Sequence, residues 1–166
     1  VRTDVKKGCS RWYPGGGIYR RVWLTTANPV HVAHWGHFVT TPEVSKQKAS
    51  VRLRTEVENK TGNKAAITLK SIILDPQGRQ VAEASGTHAI AAGAMHEFDQ
   101  AFTVTNPLLW SPDAPDLYQV VTTVEAAGKV LDEVTAPLGI RTFEFTKDKG
   151  LILSLIHISE PTRRTP

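Results

Sequence analysis

The seven residues Val51-Arg-Leu-Arg-Thr-Glu-Val57 alternate apolar and polar at every position but Thr55. In an extended chain successive side chains point to opposite faces, so Val51, Leu53 and Val57 line one face and the charged residues line the other. The stretch predicts a half-buried strand. Downstream, Asn59-Lys-Thr-Gly-Asn63 is turn chemistry, residues 65–74 resume a β-rich run, and Asp75-Pro-Gln-Gly78 closes that run with Pro and Gly at turn spacing. The two runs predict a hairpin-like pair. Further strands are predicted at 80–84, 96–104, 117–125, 129–136 and 140–145, with Ala126-Ala-Gly-Lys129 as a tight connection. No long 3.6-residue period occurs among them, so these short strands, split by Gly, Pro, Asn and Asp, predict an all-β sandwich.

Inward parity along each strand predicts a core of Val51, Leu53, Val57, Ile67, Leu69, Ile73, Phe98, Phe102, Val104, Trp110, Leu117, Tyr118, Val120, Val124 and Phe143. Tyr118 opens a penultimate-type strand. It is either a corner tyrosine whose hydroxyl bonds upstream backbone or a plain half-buried tyrosine. Trp110, between proline-marked turns, is expected to bury its loop against the sandwich, its indole N–H needing an acceptor.

The whole chain has 166 residues, 40% hydrophobic and 22% charged, which is ordinary globular composition and excludes disordered, collagenous and membrane-spanning classes. That length allows one full domain plus a piece. A net charge of +4 is too weak to argue for nucleic-acid binding. The single Cys9 excludes an internal disulfide framework and a cysteine-built zinc site, and no cofactor is expected. None of this fixes a compartment.

Before Asn28 the character changes. Arg11-Trp-Tyr-Pro-Gly-Gly-Gly-Ile-Tyr-Arg-Arg-Val-Trp-Leu24 is a Gly-rich turn opening onto an aromatic strand, and Thr26-Ala-Asn-Pro29 is a short connection. Twenty-odd residues cannot enclose a core, so this is read as the last piece of a preceding domain. Gly15-Gly-Gly17 lacks the P-loop pattern and leads into a strand where a phosphate site needs a helix, so it is a tight turn. Arg11, Trp12 and Tyr13 are the candidate sugar-facing residues, by stacking and hydroxyl hydrogen bonds. Packing against a neighbouring domain is the reading that outweighs it. The basic group of Arg2, Lys6, Lys7, Arg11, Arg20 and Arg21 reads as solvated surface.

The remaining candidates for chemistry are weak. Glu56 with Glu58 sits on the polar face of a strand with no opposing partner, and Asp113 with Asp116 in a Pro-rich loop; both read as solvated carboxylates. His31, His34 and His37 recur every three residues, but Pro29, Gly36 and β-branched neighbours argue for an extended segment, where His31 and His37 face away from His34 and hold no metal.

The segment Ser10-Arg-Trp-Tyr-Pro-Gly-Gly-Gly-Ile-Tyr-Arg-Arg-Val-Trp-Leu24 resembles the closing strand of the amino-terminal sugar-binding jelly-roll of glycoside hydrolase family 2, the β-galactosidase, β-mannosidase and β-glucuronidase group. The resemblance continues in order through His34-Trp-Gly36, Val39-Thr-Thr-Pro42, Val57-Glu-Asn59, Leu109-Trp-Ser-Pro-Asp-Ala-Pro-Asp-Leu-Tyr118, Gly139-Ile-Arg-Thr-Phe-Glu-Phe145 and Asp148-Lys-Gly150. These are similar to landmarks of that family's immunoglobulin-like second domain, in wording closest to bacterial β-galactosidases. The resemblance implies a jelly-roll remnant over 1–28, an immunoglobulin-like β-sandwich over 29–146, and over 147–152 the start of a linker to a (β/α)₈ barrel. It also implies what this chain lacks: the barrel and its two glutamates, acid/base and nucleophile of a retaining mechanism. No residue inherits a catalytic role. The expected partners are the missing barrel and jelly-roll domains and, for the parent, a carbohydrate substrate; nucleic acid and membrane are not expected. An exposed apolar patch that meets the barrel is expected on the sandwich. Trp110, Tyr118 and Phe143 are the structural residues named.

Both ends carry expectations too. The chain opens on Val1 without a signal-like segment, so its true start is expected to lie upstream. Residues 153–166, from Leu153-Ser-Leu-Ile-His-Ile-Ser-Glu-Pro-Thr-Arg163 onward, resemble a translated sequencing adapter and are expected to be a non-native tail. A short apolar strand over 151–158 is the alternative.

Overall fold

The computed structural model describes residues 21–147, 150–153 and 156–158. Seven strands come first: β1 (Val30–Val44), β2 (Lys48–Asn59), β3 (Ala65–Leu74), β4 (Gln80–Ile90), β5 (Met95–Thr105), β6 (Tyr118–Ala126) and β7 (Lys129–Leu138). They form two antiparallel sheets, ordered β1-β2-β5 and β4-β3-β6-β7, which pack face to face. The fold is thus an all-β, immunoglobulin-like sandwich. Three short strands follow, β8 (Phe143–Thr146), β9 (Gly150–Leu153) and β10 (Ile156–Ile158), in a separate sheet ordered β10-β9-β8.

The alternation that predicted β2 runs its whole length. Ala49, Val51, Leu53 and Val57 are all at most 1% exposed, while Arg52 and Arg54 face out. Strand β4 runs to Ile90, six residues past its predicted end, because as a sheet edge it needs ladder bonds more than apolar residues. Pro137 is tolerated in β7 for the same reason: β7 is an edge, so one of its backbone sides makes no ladder bonds.

Three expected core residues are not core. Leu117 is 47% exposed because it precedes buried Tyr118, and adjacent strand residues face opposite ways. Phe143 is 68% exposed because it lies in β8, outside both sandwich sheets. Trp110 is only half-buried, and lies over Gly139 at the rim. The predicted strand 140–145 also splits: Ile140 is a fully buried loop residue, and pairing starts at Phe143.

Two crossover loops between the sheets are tied by one side chain. Asn59, fully buried, places Nδ2 within 2.9–3.1 Å of the carbonyls of Asn63, Ile90 and Ala91. Its Oδ1 accepts from the amide and hydroxyl of Thr61. The β3–β4 turn is organised similarly: Asp75 accepts from the amides of Gln77 and Arg79 and from Arg79 Nε. Burial opposes ionisation of Asp75, but these hydrogen bonds prevail and hold its carboxyl below the ordinary range.

Candidate functional site

The interior is not one apolar core but two clusters with polar groups between them. One cluster gathers Ala49, Val51, Leu53, Ile73, Phe102, Val104, Tyr118, Val120, Leu138 and Ile140; the other gathers Val30, Val32, Val57, Ile67, Leu69, Ile90, Phe98 and Val124. On β2, β3, β5 and β6 one inward position between them is polar: Thr55, Ser71, Gln100 and Thr122 in turn, none more than 6% exposed. Ser71 and Thr122 are register partners with hydroxyls 3.0 Å apart, and His37 Nε2 of the opposite sheet lies 2.9 Å from the Thr122 hydroxyl. This seam was overlooked in the reading of the strands. Its signal was present, since Thr55, Ser71 and Thr122 interrupt otherwise apolar inward positions.

The clusters also mark two separate ends of the sandwich. The chain enters at Val30, in the second cluster, and leaves through Leu138 and Ile140, in the first. At the exit, the Trp110 amide donates to Ile140 C=O and the Arg141 guanidinium stacks 4.6 Å from the Trp110 ring. A Cβ on Gly139 would lie 3.2 Å from Trp110 Cγ, so glycine lets the ring close on the backbone. Tyr118 supports this end, its hydroxyl accepting the Leu108 amide ten residues upstream at 2.9 Å.

Near the entrance, β1 is interrupted. Val32 pairs with Val57 and His37 with Thr55, so Ala33, His34, Trp35 and Gly36 all stand opposite the single residue Glu56. This broad bulge reverses facing parity. The expectation that His31 and His37 share a face is therefore corrected: His31 turns out towards Glu58 (3.6 Å) and His37 turns in to Thr122. Burial holds the His37 imidazole below its ordinary pKa. His34 stacks edge-on against Trp35 instead.

Trp35 is the most unusual residue of the bulge. Its φ is +62° and it is 89% exposed. A positive φ in a bulky residue costs on the order of 1–3 kcal/mol and persists only where its surroundings enforce it. Gly36 is part of that enforcement: a Cβ there would sit 2.9 Å from Ala33 O and 3.0 Å from Glu56 O. Around Trp35, a hollow of about 270 Å³ is lined by Phe38, Arg54, Glu56 and Glu97. Arg54 lies over Phe38 and 3.9 Å from Glu97.

The carboxylates are arranged differently from expectation. Glu56 does have an opposing partner, Glu97, its register mate on β5, whereas Glu58 pairs with Lys60 at 3.0 Å. Like charges directly opposite repel, and Arg54 offsets this. Asp113 and Asp116 lie in the loop between β5 and β6. No group of three or more His, Cys, Asp or Glu side chains is placed to hold a metal ion among the described residues. Arg11, Trp12 and Tyr13 lie outside the described residues. No helix of the described residues is long and apolar enough to cross a membrane.

Two antiparallel sheets of this order define an immunoglobulin-like β-sandwich. The family model for glycosyl hydrolases family 2 matches residues 30–141, the entire seven-stranded unit, and this chain belongs to that family. It is 41% identical over 155 residues to the β-galactosidase BoGH2A of Bacteroides ovatus, which covers 93% of this chain and 18% of that protein. A β-glucuronidase of Formosa agariphila is 34% identical over 148 residues, covering 84% of this chain and 15% of that protein. Among solved structures, the Bacteroides uniformis β-glucuronidase superposes with a TM-score of 0.79 at 33% identity, over 84% of this chain and 18% of that one. The chain therefore spans less than a fifth of the length of these relatives.

Proposed function

We propose that this chain is a non-catalytic segment of a family 2 glycoside hydrolase, and that its sandwich sets a sugar-binding domain before it against a catalytic barrel after it. The whole protein would hydrolyse terminal β-glycosides, galactosides first, by a retaining two-glutamate mechanism whose glutamates lie outside this chain. The observation that carries this reading is the separation of entrance and exit onto different core clusters, which suits a spacer joining two bodies. The facing pair Glu56 and Glu97 does not resemble a retaining pair. It lies on one open sheet face, with Arg54 beside it. Under this reading residues 1–28 are the jelly-roll remnant and 147–152 the start of the barrel linker. Incubating the whole chain with nitrophenyl β-galactoside and β-glucuronide should give no turnover above blank. Activity that survives repurification would overturn the reading.

A second reading, a stand-alone carbohydrate-binding or adhesive β-sandwich module, is favoured by one observation: the exposed Trp35 indole beside Arg54, Glu56 and Glu97. Calorimetric titration of the chain with galactosides separates the two. Specific heat favours the module, and its absence the spacer.

A further inference from the structure

Resting on the spacer reading, we infer that the Trp35 bulge is the seat on which the domain preceding residue 28 rests. Three observations choose this occupant over the domain that follows.

The first is continuity. Thr25, Thr26 and Ala27, the segment leading into the sandwich, line a hollow of about 490 Å³ together with Trp35 and the Asp132–Val134 edge of β7. Arg21 lies six positions before Ala27, so the preceding body is tethered within roughly 20 Å of this hollow even if the segment is fully extended. The exit, by contrast, leaves from the other core cluster through Leu138 and Ile140.

The second is chemistry. Trp35 (89% exposed) and Phe38 (52% exposed) stand proud of a sheet whose neighbouring outward positions are charged, with Arg54, Glu56 and Glu97 around them. An aromatic centre with arginine beside it and a charged rim is the composition of a domain interface. The leading segment itself presents Val22, Trp23 and Leu24, each at least 72% exposed, so both sides of the hinge offer apolar surface.

The third is strain. The positive φ of Trp35 and the close fit of Gly36 against Ala33 and Glu56 hold the indole outward, where a second body can cover it. The jelly-roll's angle to the sandwich would then be set by the bulge and not by the segment alone.

The test uses two proteins in parallel. One is the 166-residue chain. The other is the Bacteroides ovatus β-galactosidase with its matching segment replaced by residues 21–147 of this chain. In the chain alone, Trp35→Gly should leave the melting temperature unchanged or raise it, because glycine accepts φ +62° without strain. In the chimaera the same change should speed proteolysis between residues 21 and 29 at least tenfold. Trp35→Phe should restore most of the protection, and Met95→Ser, at another exposed apolar position on β5, should change nothing. An active chimaera whose cleavage is indifferent to Trp35→Gly would overturn the seat while leaving the spacer standing. A chimaera that folds but shows no galactosidase activity would overturn the spacer, and the seat with it. Self-association of the 166-residue chain that vanishes with Trp35→Gly, or a galactoside that binds it only when Trp35 is present, would overturn the assignment of the occupant.

Discussion

His37 Nε2 and the hydroxyl of Thr122 lie 2.9 Å apart across the sandwich, joining its two sheets through the only polar layer between two apolar clusters described here. The Thr122 hydroxyl also meets Ser71, so a single oxygen serves both sheets. Its removal leaves buried groups on either side without a partner. Thr122→Val should therefore destabilise the chain by about 1–3 kcal/mol despite its matching shape, read from urea unfolding at neutral pH.

The same seam makes stability depend on acid. Burial lowers the folded-state pKa of His37, and burial followed by the charge of its stacked neighbour His88 lowers that of His96. The unfolded imidazoles bind protons near the ordinary 6.5, whereas the folded ones resist until lower pH. Stability contributed by these groups is thus complete above that value and falls as the pH drops below it. Urea midpoints should decline between pH 7.5 and 5, and His37→Gln should flatten part of the slope. A midpoint constant over that interval would contradict the account.

Asn59 ties the β2–β3 and β4–β5 crossovers through both ends of its amide. Asn59→Ala removes the donor that links the carbonyls of Asn63, Ile90 and Ala91 across two loops, and the expected loss is about 2–4 kcal/mol. Hydrogen exchange should show the loosening in 59–64 and 90–95 together. Loosening confined to one loop would show that the two are not tied.

At the exit end, Trp110→Ala should cost about 2–3 kcal/mol, less than the 3–5 of a fully enclosed aromatic because the ring is half-buried. Gly139→Ala should cost about 1–3 kcal/mol by pushing the new methyl against the ring. Denaturation of the double variant should give less than the sum, since one contact is lost in both.

Tyr118→Phe removes the acceptor of the Leu108 amide while keeping the buried ring. The expected cost is about 1–2 kcal/mol, with faster exchange at Leu108 as the site-specific readout. No change at Leu108 would mean that water replaces the hydroxyl at no cost.

Much of this architecture was legible in the residues alone. Alternation over Val51–Val57, broken only at Thr55, placed β2 and its inward face, and the turn chemistry at Asn59–Asn63 and Asp75–Gly78 separated β2, β3 and β4. Periodicity is a local property, and local spacing is enough to say which face of a strand is apolar. Phe143 marks where that reasoning stops, because parity says which residues share a face but not whether anything covers it.

The amino-acid order by itself thus determined the strand class, the turns and the family resemblance, all of which depend on neighbours a few residues apart. Only the tertiary structure decided that four residues of β1 bulge opposite Glu56, that this turns His37 inward onto Thr122 and Trp35 outward, and that the chain enters and leaves through different core clusters. Those outcomes rest on register between strands distant in sequence. Pairing energy between strands, not alternation within one, selects that register.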